Sequence, residues 1–248
     1  MLKPLLQRFG QILRDGFRIW WLSPLIPAFV VLPEFAQHIA EIQLGMFESR
    51  DAARLLADDP MRWSFGYVKI AGLLVAILAT ARFWGASREG NRWWNLSAIA
   101  WINVAVAAVL IVLASLPGTL FKGIVGDEGA GWINLVFAFA TLPLIVLLVR
   151  GLAGDRRSNL ASVFRRDWFA AVRIYGFTAA LWIPLQYLHG KNHYWAFGAP
   201  EMLVWLLLVF DSLVVGLIAT LAGTSLHHSS VPIRSSVATV SGDTAKAV

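Results

Sequence analysis

Glu34, His38 and Glu41 stand four and three residues apart inside one long apolar stretch, and Asp211 stands near the middle of another. On a helix, that spacing puts the first three on one face. Lys69 lies about four residues inside the end of a further apolar stretch, at a depth matching Glu34 if the two stretches are antiparallel neighbours. A charge near a bilayer centre costs about 2.5–3.5 kcal/mol on insertion scales, so such residues face a partner or a polar path inside the bundle. Three chemistries compete for them. Lys69 neutralises Glu34 or Asp211 and fixes which helices pair. Alternatively, Glu34, His38 and Asp211 titrate along a proton or ion path. The third is a metal site on Glu34, His38 and Glu41, in the manner of the Glu-x-x-His helices of di-metal bundles, but a second matching helix is missing. His189 and His193 have the four-residue spacing of a metal pair, yet Gly190 between them weighs against a helix. The sequence therefore assigns no metal and no cofactor.

Catalytic motifs do not appear. The chain has no His-Glu-x-x-His, no Gly-x-Ser-x-Gly and no P-loop. The Asp211-Ser212 pair has no matched base. With no cysteine in the chain, thiolate chemistry and disulfides are excluded. The sequence expectation is a protein without catalytic residues.

The elements that must position these side chains are apolar segments at about 19–43, 65–84, 96–116, 132–150, 169–188 and 199–223. Each reaches the roughly 20 residues a helix needs to cross a hydrocarbon core. Apolar residues make up 58% of the chain and charged residues 15%, too little polar surface for a chain in water. Of the 21 Lys and Arg residues, fifteen fall in alternate gaps and tails or, as Arg82, Arg150 and Arg173 do, at the segment ends bordering them. Five, Arg50, Arg54, Arg62, Lys122 and Lys191, fall in the intervening gaps, and Lys69 lies inside a segment toward its opposite end. That asymmetry predicts both termini on the cytoplasmic side. Trp20, Trp21, Trp84, Trp93, Trp94 and Trp168 fall near the inner segment ends, and Trp63, Tyr67, Trp132, Tyr187, Tyr194 and Trp195 near the outer ones, as two interfacial belts do.

Residues 1–18 alternate apolar and basic positions at helical spacing and predict an amphipathic helix lying on the membrane surface. Arg14, Arg18, Arg88, Arg92, Arg156, Arg157, Arg165 and Arg166 are the basic residues placed against anionic lipid headgroups. Their position beside apolar spans and Trp or Phe excludes nucleic acid as a partner. The first outer loop, at about 44–64, is expected to hold a short helix over 51–57. The glycines of the second outer loop are read as flexibility, and residues 224–248 as a loose cytoplasmic tail with His227 and His228 in solvent.

Gly72, Ala76 and Thr80 recur every four residues in the second segment, as do Ser212, Gly216 and Thr220 in the sixth. Small residues at that spacing let helix backbones approach closely. The expectation is an all-α integral membrane protein: a six-span bundle of three hairpins behind an interfacial N-terminal helix, in a bacterial inner membrane. Its leading functional expectation is a scaffold, accessory subunit or regulator that binds a membrane-protein partner or its own copies. The alternative is a small proton- or ion-coupled transporter or channel using the polar seam.

Overall fold

The computed structural model describes residues 2–232, which form helices and connecting turns with no strand among them. The order is α1 (Leu2–Leu22), α2 (Leu25–Gln43), α3 (Arg50–Leu55), α4 (Pro60–Arg88), α5 (Trp101–Ala140), α6 (Leu144–Ala153), α7 (Leu160–Arg166), α8 (Trp168–Ala196) and α9 (Glu201–Ser230). Five of these, α2, α4, α5, α8 and α9, are long and apolar enough to cross a membrane.

Helix boundaries follow local chemistry. The chain breaks at Ser23-Pro24, so α1 runs through Trp20 and Trp21, and the apolar segment proper starts at Leu25 rather than at residue 19. Ser49 caps α3 by accepting from Ala52 N–H, so that helix sits one to two residues ahead of the expected 51–57. Asp59 accepts from the N–H groups of Met61 and Arg62, and Pro60 follows where its missing N–H costs nothing. This cap starts α4 five residues before the expected 65 and draws Arg62 onto the helix.

The glycine-rich stretch is not a loop. α5 is helical on both sides of Gly126, which alone has non-helical dihedrals, at φ 73° and ψ −179°. Gly118 N–H donates to Asn134 Oδ1 at 3.0 Å. Sixteen residues of straight helix would separate these positions by about 24 Å. The chain therefore folds back at Gly126, and its two arms lie side by side. A backbone that must adopt positive φ favours glycine, while the other glycines cost only about 1 kcal/mol each within strongly apolar helix.

α9 is the axis of the molecule and packs on α8, α4, α2 and α1. Close approach uses the small residues. A side chain at Gly72 would collide with the Phe29 carbonyl of α2, and one at Gly216 with Trp20 and Val31. Ala76, Thr80 and Thr220 are completely buried, and Ser212 bonds the Leu208 carbonyl within its own helix. α5 packs on α6, and α6 on α4. There Arg82 donates to the carbonyls of Leu152 at 2.8 Å and Asn95 at 3.1 Å, and Arg150 forms a two-pronged bond with Asp167 at 2.7 and 2.8 Å.

α9 continues past residue 223 to Ser230, with Thr224, Ser225, His227 and Ser229 buried against α1, α4 and α8. The expected loose tail therefore begins no earlier than residue 231. Of the polar side chains that mark a tail by composition, Thr224 accepts from Trp84 of α4 and Ser225 bonds Thr178 of α8. Residues 233–248 lie outside the described residues.

Candidate functional site

α2, α8 and α9 converge on one buried polar cluster. α2 supplies Glu34, Gln37, His38 and Glu41, α9 supplies Asp211, and α8 supplies His189, Asn192 and His193. Glu34, Gln37, His38, Glu41, Asn192 and Asp211 are each at most 2% exposed. The centre is Asp211 Oδ2. It lies 2.7 Å from His189 Nδ1, 3.2 Å from His38 Nε2 and 3.3 Å from His193 Nε2. The other oxygen, Oδ1, accepts from Asn192 Nδ2 at 2.9 Å.

His38 is held from both sides. Its Nδ1 is 3.1 Å from Glu41 Oε2, and its Nε2 is 3.3 Å from Glu34 Oε1. α4 closes the cluster with two cations. Arg62 Nε donates to Glu41 Oε1 at 3.0 Å, beside Gln37 Nε2 at 3.2 Å from the same oxygen. Lys69 Nζ lies 3.3 Å from both Glu34 oxygens, and only Oε1 receives a well-aligned hydrogen bond. Glu34 Oε2, Gln37 Oε1 and Asn192 Oδ1 are buried without a hydrogen-bond partner. The side chains of Arg62 and Lys69 are 25% and 22% exposed, so the cluster reaches the surface past them.

Formal charge shows what such a cluster favours. Glu34, Glu41 and Asp211 are three acids, and Lys69 and Arg62 are two bases. The imbalance is one negative charge, surrounded by three imidazoles. Buried charge is tolerated only when compensated, so the cluster favours an additional cation. Protons on the imidazoles and metal ions are the two cations that histidine and carboxylate bind.

A second cluster lies at the other end of α9. His228 Nε2 is 2.9 Å from Asp15 Oδ2 of α1, the His227 ring meets that of His228 edge-on, and Arg8 NH1 donates to the His228 carbonyl at 3.0 Å. Trp84 Nε1 of α4 donates to Thr224 at 3.0 Å, and Arg173 of α8 to the Ser229 carbonyl at 3.1 Å. Burial opposes ionisation of Asp15, but the bonds from His228 and Arg14 outweigh it and hold its carboxyl below the usual range. Two adjoining cavities of about 430 and 270 Å³ open here, bordered by Arg8, Gln11 and Arg88.

The structure brings Glu34, His38, Glu41, Lys69 and Asp211 into one network. The other residues singled out lie elsewhere. Gly72, Ala76, Thr80, Ser212, Gly216 and Thr220 are at helix contacts. Arg14 and Arg18 flank Asp15, Arg92 lies over Trp94, and Arg88, Arg156, Arg157, Arg165 and Arg166 are exposed.

The sequence reading kept His189 and His193 apart from the acids. α8 in fact runs unbroken through Gly190 to Ala196, because packing on α9 outweighs the glycine penalty, and the pair comes to share one helix face. Asn192 and Arg62 were also missed. His227 and His228 are in contact with α1 and α4 rather than in solvent. Comparison with family models, with curated proteins and with solved structures finds no match for this chain.

Proposed function

We propose that this chain is a small cation-handling transporter that uses the Asp211 cluster as its binding station within the membrane. The observation that carries this reading is the convergence of three imidazoles on one buried carboxylate oxygen. A purely structural ion pair that fixes helix pairing, as a scaffold needs, takes one acid and one base. Three acids, three imidazoles and two amides drawn from three helices exceed that need and match an exchangeable-cation site.

The topology that goes with this reading has six crossings. The two arms of α5 count separately, the second continuing through the Thr141–Pro143 break into α6, and α1 lies along the inner headgroups. Arg8, Arg88 and Arg173 gather at the end that the basic asymmetry assigns to the cytoplasm of a bacterial inner membrane, against anionic lipid. Single cysteines at Ser49 and Gly126, both exposed, should react from outside with an impermeant thiol reagent, and one at exposed Arg157 should not. Labelling at Arg157 in intact cells would reverse the orientation.

Transport is tested in proteoliposomes under an imposed pH gradient, with a trapped pH-sensitive dye. Wild type should dissipate the gradient faster than empty vesicles, and Asp211→Asn should remove the difference. Equal rates for wild type and empty vesicles would overturn the reading.

A further inference from the structure

We propose that the cluster is a binding site for one divalent transition-metal ion, of the zinc or cobalt class, held by Glu34, His189, His193 and Asp211. The inference deepens the transporter reading by naming the ion, and rests on it only in taking the cluster as a cation site.

Geometry is the first support. One ligand atom from each of the four residues lies within 4.8 Å of all the others. Metal–ligand bonds of about 2.0–2.1 Å at tetrahedral angles place ligand atoms about 3.3 Å apart. Asp211 Oδ2 and His193 Nε2 are already 3.3 Å apart, while the 2.7 Å from Asp211 Oδ2 to His189 Nδ1 needs to open by a side-chain rotation. His189 and His193 are one turn apart on α8, which fixes both rings on one face.

The surrounding residues are the second. Metal sites hold their ligands through outer hydrogen bonds. Asn192 fixes Asp211 through Oδ1 and leaves Oδ2 aimed at the imidazoles. His38 Nε2 lies against both carboxylate ligands, and Glu41 orients that ring through Nδ1. Glu34 Oε2, completely buried and without a hydrogen bond, is an available ligand atom.

Charge and ligand chemistry select the ion. Two carboxylate ligands neutralise a divalent cation, and Arg62 neutralises Glu41. Lys69 then has no acid to pair with, and its partly exposed side chain can turn outward, so Lys69 competes with the metal for Glu34. Two imidazoles and two carboxylates suit zinc, cobalt, iron or manganese rather than copper(I), and the chain has no cysteine to supply a softer site.

The test uses tag-free full-length protein in detergent with cobalt(II) chloride. We expect one cobalt per chain, visible d–d absorption of a low-symmetry nitrogen–oxygen site, and displacement by zinc. His193→Gln and Asp211→Asn should each weaken binding at least tenfold, and Lys69→Met should tighten it. Because a variant can fail to fold, zinc-edge X-ray absorption of the wild type gives a second reading. Imidazole scattering from two rings supports the site, and an oxygen-only shell overturns it. Absence of stoichiometric cobalt and zinc binding by folded wild type overturns the metal site, and a proton flux that still depends on Asp211 would leave the transporter reading intact. Tight binding with no flux would do the reverse.

Discussion

α9 carries a histidine–carboxylate cluster near its middle and another at its C-terminal end, about 25 Å apart along the helix, with opposite charge imbalances. Around Asp211, three acids face two fixed cations inside a contact of α2, α8 and α9. Around Asp15 and His228, a single acid faces Arg14 and Arg18, with Arg8, Arg88 and Arg173 nearby, beside open cavities. The same residue pair thus serves two ends. With acids in excess in a buried contact of three helices, it favours taking up a cation. With arginines in excess beside open cavities, it fastens α1 to the bundle. Sequence motif alone does not separate the two cases; the neighbouring helices do.

The sharpest way to break this comparison is to remove each acid. Asp211→Ala leaves three imidazoles and Asn192 facing a buried hole, and loss of one partner from a buried network costs about 3–5 kcal/mol. Asp15→Ala removes an acid whose arginine partners are more than half exposed, and such pairs are worth about 0–1 kcal/mol. In detergent, the midpoint of thermal unfolding should fall far more for Asp211→Ala. Equal losses would mean that the two clusters do not differ in kind.

Within the buried cluster, Lys69 and Glu34 test whether the parts act together. Lys69→Met strands a buried carboxylate, and Glu34→Gln strands an ammonium that can still reach the surface. Each should lower thermal stability, Lys69→Met more, by about 1–3 kcal/mol. The double substitution should recover part of the sum. Additive losses would show no coupling between the residues.

How much of this was legible in the sequence differs between the two clusters. The i, i+4, i+7 spacing of Glu34, His38 and Glu41 is a property of any helix, so their shared face could be read directly. The depth match of Lys69 needed only antiparallel neighbours. The third side of the site was lost at a boundary: ending a segment at residue 188 put His189, Asn192 and His193 in a loop. Arg62 was lost the same way, although Asp59-Pro60 is a capping pair that signals an earlier start. The C-terminal cluster was hidden by composition. Thr224, Ser225, Ser229 and Ser230 resemble a tail, and only the Trp84, Thr178 and Arg173 partners supplied by distant helices make that stretch helical and buried. Gly126 could be seen as a glycine among glycines; that the chain reverses there depends on its positive φ.

The smallest predicted effect concerns pH at the C-terminal cluster. Asp15 faces His228 from α9 and Arg14 and Arg18 from its own helix, with Arg8 one side chain away. Its carboxyl is held below the unfolded value of about 3.9 despite burial, because the bonds from His228 and Arg14 favour the anion. A carboxylate depressed on folding adds stability at every pH above the unfolded value, and that contribution disappears as pH falls through the folded one. The gap in thermal midpoint between wild type and Asp15→Asn should therefore be present at neutral pH and shrink below about pH 4. It should also narrow in high salt, because Arg14 and Arg18 are exposed and screened. A gap of undiminished size at about pH 2 would show that Asp15 acts through packing rather than charge, and that the C-terminal cluster is not the electrostatic clasp described above.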